Sequence, residues 1–194
     1  VGGNMADDPA TVAALLQKKT GRPGKRVMDR ADVLEATGPT PGSYMRVKIG
    51  ANAEGKLTAA EAEISFEAGG FPGSPVPAAC MTVFACYDLP HGQVNGYDVC
   101  VNNPATRAYR APGATHAALA VETVIDEICE QLKIDPLEFR MRNAAKEGTR
   151  RVDGVTFSRI GMEETVAAIQ NSEHAKTPLE GPNRGRGFAS GFWF

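Results

Sequence analysis

An α+β fold, with a mixed sheet of β-hairpins packed against several helices, is the class this sequence predicts, and three observations predict it. The stretch "SYMRVKIGANAEGKLTAAEAEISFEAG" alternates polar and apolar residues on both sides of a glycine-containing tip, the pattern of two half-buried strands joined by a hairpin. Residues from about Thr115 to Leu132 repeat apolar side chains at helical spacing, and a second helical pattern follows at once. The segments mix hairpins and helices instead of repeating βαβ, which favours α+β over a doubly wound sheet.

Taken in order, the elements have local reasons. Asp8 and Pro9 suit a helix start, Val12, Leu15 and Leu16 give a stripe, and "TGRPG" stops it, so 9–20 is helix. "KRVMD" reads as a short strand. The hairpin follows, with Met45, Val47 and Ile49 facing inward, a tip at Asn52 to Gly55, and a second strand from Leu57 to Phe66. "GGFPGSPVPAAC" is a loop, and "AACMTVFACYDL" is either a short helix or a buried strand, which periodicity alone leaves open. "GQVNGYDVCVN" is a strand.

The long helix then presents Leu119, Val121, Val124, Ile125, Ile128 and Leu132 as an apolar face. In the next helix Asp135 caps, Pro136 takes the first position and Glu138 completes a capping box, with the end near Gly148. "RRVDGVTFS" is a turn-containing connector, "MEETVAAIQNS" a short helix with acidic residues in its first turn, "EHAKTPLEGPNRGRG" a loop and "FASGFWF" a final strand.

The 194 residues fit one domain, 1–194, and at 42% hydrophobic they can build a core without disulfide staples. A net charge of -2 with scattered Lys and Arg offers no basic field, which argues against a nucleic-acid partner. No window resembles a membrane span and "VGGNMADDPA" lacks the parts of a signal peptide, so the expected location is the cytoplasm. Cys80, Cys86, Cys100 and Cys129 show no paired spacing and read as free thiols, most of them in apolar runs. His91, His116 and His174 are too dispersed for a zinc cluster, so no protein-ligated metal is expected. The ends, "VGG" and "GRGFASGFWF", suggest a piece of a longer polypeptide.

The strongest local signal is "AYRAPGA". A helix start offers unpaired N–H groups, Pro112 and Gly113 hold the backbone open ahead of it, and Arg110 adds a planar donor fork for a carboxylate, phosphate or carbonyl. The bland alternative is a strand-to-helix turn with Arg110 in a structural ion pair. "RPGK" at 22–25 reads as a solvated turn more readily than as a phosphate contact. Glu122, Asp126, Glu127 and Glu130 lie on the long helix, where a solvated face is favoured over acid–base work, and Glu122 could instead be partly buried and pair with Arg107 or Arg110. "GPNRGRG" lacks the strand and helix context of a dinucleotide loop, and no Ser-His-Asp or Cys-His set stands out.

Three ordered blocks carry a family resemblance: "TGRPGKRVMDRADVL", "KIGANAEGKLTAAEAEISFEAGGF" and "AYRAPGATHAALAVETVIDEICEQLKIDPLEFRMRNAAKEG". Together they resemble the molybdenum-cofactor-binding subunit of the xanthine dehydrogenase, aldehyde oxidase and carbon monoxide dehydrogenase type. The resemblance implies that Tyr109, Arg110, Ala111, Pro112 and Gly113 lie against molybdopterin or its cytosine dinucleotide, with backbone groups beside the pterin. It implies a metal held by the cofactor's own dithiolene sulfurs, so that no cluster of protein ligands is needed. It further implies hydroxylation of an aldehyde or N-heterocycle with oxygen from water, and electron flow through iron–sulfur centres to FAD on partner domains or subunits.

The departures are equally specific. Of the family's G-G-G-F-G-G-K loop only "VGG" is present, and its late G-x-G-E motif, with the glutamate that acts as general base, is absent from these residues. No catalytic residue is therefore assigned, and the chain by itself is expected to be inactive. Ala111 stands where the carbon monoxide branch has cysteine, which argues against that substrate. A non-catalytic assembly module and an unrelated small anion-binding domain are the competing readings.

Overall fold

A computed structural model of the chain describes residues 7–108 and 110–193. They fall into two compact units. The first holds the described part of 1–44 with Ser65–Val76 and Tyr97–Pro112, and the second holds Met45–Ile64, Pro77–Gly96 and the residues from Gly113 onward.

In the first unit α1 spans Asp7–Thr20, close to the expected 9–20. The expected strand at "KRVMD" does not form; those residues are irregular and lead into a second helix, α2 (Arg30–Ala36). The reason is local. The Asp29 carboxylate accepts the Asp32 amide hydrogen at 2.8 Å and the Asp32 carboxylate accepts that of Asp29 at 3.4 Å, a reciprocal cap that starts a helix.

The sheet has the order β1 (Ser43–Ala51), β2 (Leu57–Gly69), β3 (Gly92–Cys100). β1 and β2 form the expected hairpin. Its tip closes by bonds from Asn52 N to Lys56 O and from Gly55 N to Asn52 O, both 2.9 Å, with Gly55 at φ +73°. β3 runs parallel to β2, because Ala60 pairs with His91 while Gly69 pairs with Val101, both indices rising together. The sheet is therefore mixed, and the crossover between the parallel strands carries α3 (Val76–Thr82), which settles the open reading of "AACMTVFACYDL" as helix followed by a buried turn. Strand alternation is sharpest in β2, where Ala60, Ala62, Ile64, Phe66 and Ala68 are buried and the intervening Glu61, Glu63 and Glu67 are not.

The second unit is built on α4 (Ala114–Leu132), α5 (Pro136–Arg142), α6 (Met162–Asn171) and the short α7 (Glu173–Lys176), each packed on the next. Asp135 caps α5 as expected, accepting from Leu137 N and Glu138 N at 2.9 and 3.0 Å. The helix ends at Arg142 rather than near Gly148, because Asn143 turns aside to serve the hairpin: its Oδ1 accepts from Leu57 N at 2.9 Å and its Nδ2 donates to Gly55 O at 2.8 Å. The buried stripe of α4 is Ala117, Val121, Ile125 and Cys129, and Leu119, expected inside, is 73% exposed. "FASGFWF" forms no strand through Trp193; Phe192 instead meets Phe157 edge-on at 5.4 Å between ring centroids.

Candidate functional site

Residues 101–107 are fixed against the end of β2 within the first unit. Thr106 donates its amide hydrogen to Ala68 O at 3.0 Å and its hydroxyl to Glu67 O at 3.1 Å, while Gly70 N donates to Asn103 O at 3.1 Å and Arg107 N to Pro39 O at 3.0 Å. From this anchored segment the chain passes to the loop singled out above. Tyr109 lies outside the described residues. Arg110 is exposed and makes no ion pair among the described residues, Ala111 and Pro112 are half-buried, and Ala111 stands at φ +43°, a left-handed conformation that an alanine adopts at a cost of roughly 1–2 kcal/mol.

In the second unit, Gly113 is the residue before α4, at φ +82°, and no side chain among the described residues caps the helix. The first amide hydrogens of a helix have no intrahelical acceptor, and with no capping side chain they form a cluster of donors at the positive end of the helix dipole. This arrangement suits an anion or the polar edge of a flat ligand. His116, in the first turn, has its pKa lowered by burial, so it is biased towards the neutral form.

Deeper in α4 lies a polar centre of the opposite kind. Glu122, 5% exposed, accepts from the Tyr87 hydroxyl, from Arg140 Nε at 2.9 Å and from Ser190 N at 2.7 Å. Arg140, 1% exposed, also donates to Asp126 at 2.8 Å and to Pro136 O at 3.1 Å. Glu122 thus pairs with Arg140, not with the Arg107 or Arg110 considered from sequence, and it is buried instead of lining a solvated face. Burial pushes the Cys86 thiol up to about 12, with the Glu122 charge adding to it, and burial raises the Tyr87 phenol as well. Arg140 was not singled out by sequence reading. A signal existed, since Glu122 falls within the Ala117–Val121–Ile125 stripe and a carboxylate there requires a buried cation.

All four cysteines are free, with Cys86 and Cys129 buried, Cys80 half-buried and Cys100 exposed. Among the described residues no group of three or more His, Cys, Asp or Glu side chains converges. The second unit also has a pocket of about 420 Å³ between α6 and residues 188–193, lined by Leu137, Met162, Val166, Ile169 and Phe188, which includes none of Arg110 to Gly113.

The sequence profile of the molybdopterin cofactor-binding domain matches residues 5–144, a span that includes the loop, α4 and α5. The chain belongs to this family. Within it, the chain is 32% identical over 136 residues to the aldehyde oxidoreductase molybdenum-binding subunit PaoC of Escherichia coli (strain K12), covering 69% of the chain and 18% of that protein. It is 26% identical over 169 residues to the nicotinate dehydrogenase large molybdopterin subunit of Eubacterium barkeri, covering 85% of the chain and 40% of that protein. Among solved structures, the aldehyde oxidoreductase of Desulfovibrio gigas superimposes with a TM-score of 0.69 at 25% identity, over 76% of the chain and 17% of that structure. Quinoline 2-oxidoreductase of Pseudomonas putida 86 shares the fold, with a TM-score of 0.73 at 21% identity over 85% of the chain and 22% of that structure. The chain thus spans 18% to 40% of the length of these two curated relatives. A molybdopterin cofactor-binding domain removes the reading of an unrelated anion-binding module.

Proposed function

We propose that residues 1–194 form one wall of the cofactor site in the molybdenum-binding subunit of a molybdenum hydroxylase acting on an aldehyde or N-heterocycle. The observation that carries this reading is the uncapped start of α4 at Gly113, inside the stretch that matches the family. The first amides of this helix suit the phosphate and the polar edge of molybdopterin or its cytosine dinucleotide, and the guanidinium of Arg110, without an ion pair among the described residues, is chemically matched to acceptors of this kind. When bound, the molybdenum group would supply the centre at which oxygen derived from water is passed to a substrate carbon.

The chain's own part is binding and orientation. In the second unit the first-turn amides of α4 hold acceptors of the cofactor, and the buried Glu122–Arg140 pair keeps that helix rigid behind them. In the first unit the Arg110 fork offers donors, and Pro112 stiffens the loop and brings no N–H that would need a partner. Iron–sulfur and FAD groups on partner domains or subunits would receive the electrons, and the rest of the molybdenum-binding subunit would complete the pocket for the small-molecule substrate. No helix among the described residues is long and apolar enough to cross a membrane. The reading places the complex in the cytoplasm.

Purified full-length protein carrying this chain is expected to contain molybdenum and a pterin and to reduce an artificial acceptor with an aldehyde or an N-heterocycle. The 194-residue chain alone is expected to show no turnover. A full-length protein free of molybdenum and pterin, isolated from cells that make the cofactor, would contradict the proposal.

A further inference from the structure

Two glycines at positive φ press on the same short segment from different parts of the chain. Gly69, at φ +85°, ends β2, and a Cβ added there would sit 2.4 Å from Pro104 O and 2.6 Å from the Ala105 Cα. Gly38, at φ +91°, leaves no more space: a Cβ would sit 2.3 Å from the Arg107 Cγ and 2.5 Å from Ala105 O. Between them Thr106, 5% exposed, ties both its amide and its hydroxyl to the backbone of Glu67 and Ala68. Arg107 N bonds to Pro39 O and Gly70 N to Asn103 O, so 103–107 is held on both sides by backbone hydrogen bonds.

We propose that Gly38, Gly69 and Thr106 form a clasp that positions the Arg110–Pro112 loop for the cofactor, an inference that rests on the cofactor-binding reading above. The tether is short, since only residues 107–109 separate Thr106 from Arg110, and three residues cannot absorb a displaced anchor. A side chain at Gly69 collides with backbone atoms of Pro104 and Ala105, which have no rotamer to change. The segment must move, and the loop it leads into moves with it. The left-handed Ala111 fits the same account: a strained residue persists where its surroundings hold it in place.

The test uses full-length protein and reads molybdenum and pterin per folded molecule, with the folded fraction set by circular dichroism. Gly69→Ala and Thr106→Val are expected to lower this occupancy about fivefold, and Thr106→Ser, which retains the hydroxyl, to restore it. Gly55→Ala is the matched control. Gly55 also has positive φ, at +73°, and its added Cβ would meet Ile134 Cδ1 at 2.5 Å, but it lies at the hairpin tip. That variant is expected to lose stability while its folded molecules stay loaded. Equal depletion in Gly55→Ala, or full loading of Gly69→Ala and Thr106→Val beside a depleted Arg110→Ala, would overturn the clasp. Full loading of all of them, Arg110→Ala included, would overturn the cofactor reading itself. If Gly69→Ala does not accumulate as folded protein, the Thr106 pair decides.

Discussion

Arg140 is 1% exposed and bonded to two carboxylates and a carbonyl, whereas Arg110 is exposed, without an ion pair among the described residues, and three positions before an uncapped helix start. The same contrast runs through the backbone. Around Glu122 the donors from Tyr87, Arg140 and Ser190 converge on one carboxylate, while Ala111 sits in a left-handed conformation and the first amides of α4 have no capping side chain. A buried charge cluster whose members satisfy one another has nothing left to offer a ligand, and it makes its helix rigid. A strained residue ahead of a helix start without a capping side chain lowers stability and leaves donors that a ligand can use. The stability of this domain is thus concentrated around residues 122 and 140, and the proposed binding role falls on 110–113.

Breaking the cluster has the largest expected effect. Glu122→Ala leaves Arg140 buried with only the partly exposed Asp126 as counter-ion, and should destabilise the fold by about 3–5 kcal/mol in denaturant titrations. A loss below about 1 kcal/mol would mean that water reaches Arg140 and that the centre is not sealed.

A pH titration of stability sharpens the same contrast. Thiols ionise near 9.0 when solvated, but in the folded protein burial holds Cys86 protonated to about 12 and Cys129 to about 11. The unfolded chain therefore binds fewer protons above pH 9, so the stabilising contribution is complete below about 9 and is lost as pH rises through 11 and 12. The melting temperature should fall over that range, and Cys86→Ala should flatten the fall. An unchanged slope in that variant would assign the alkaline loss to other groups. Smaller still is Ala111→Gly, which relieves the left-handed alanine and should stabilise the fold by up to about 1 kcal/mol while loosening the loop. Destabilisation would show that the alanine side chain contributes packing that outweighs the strain.

Much of this arrangement is legible in the sequence because it is local. The tip at Asn52 to Gly55, the Asp135–Pro136 start of α5 and the helical course of α4 each follow from a few adjacent residues, and each forms as expected. The Asp29–Asp32 box was equally local, and it starts α2 directly after the residues where a strand was expected. What sequence reading could not supply depended on distant partners. Arg140 looks like one of several charges on a short helix until Glu122 and Asp126 are brought to it by the packing of α4 on α5. Leu119 satisfies the helical spacing as well as Ala117 does, and only the tertiary arrangement decides that the small residue faces inward. "FASGFWF" has strand composition but no partner strand among the described residues, so β propensity alone does not make it a strand. At the site, the loop and its arginine were visible as a helix mouth. The anchoring of 103–107 by Gly38, Gly69 and Thr106 was not, because a steric contact between glycines and a segment far along the chain leaves no periodic trace.

The most direct measurement is the molybdenum and pterin content of the full-length Arg110→Ala protein set beside its melting temperature. Arg110 makes no ion pair among the described residues, so stability should stay within about 0.5 kcal/mol of the parent while occupancy per folded molecule falls about fivefold or more. Undiminished occupancy in a protein of unchanged stability would contradict the assignment of this loop to the cofactor.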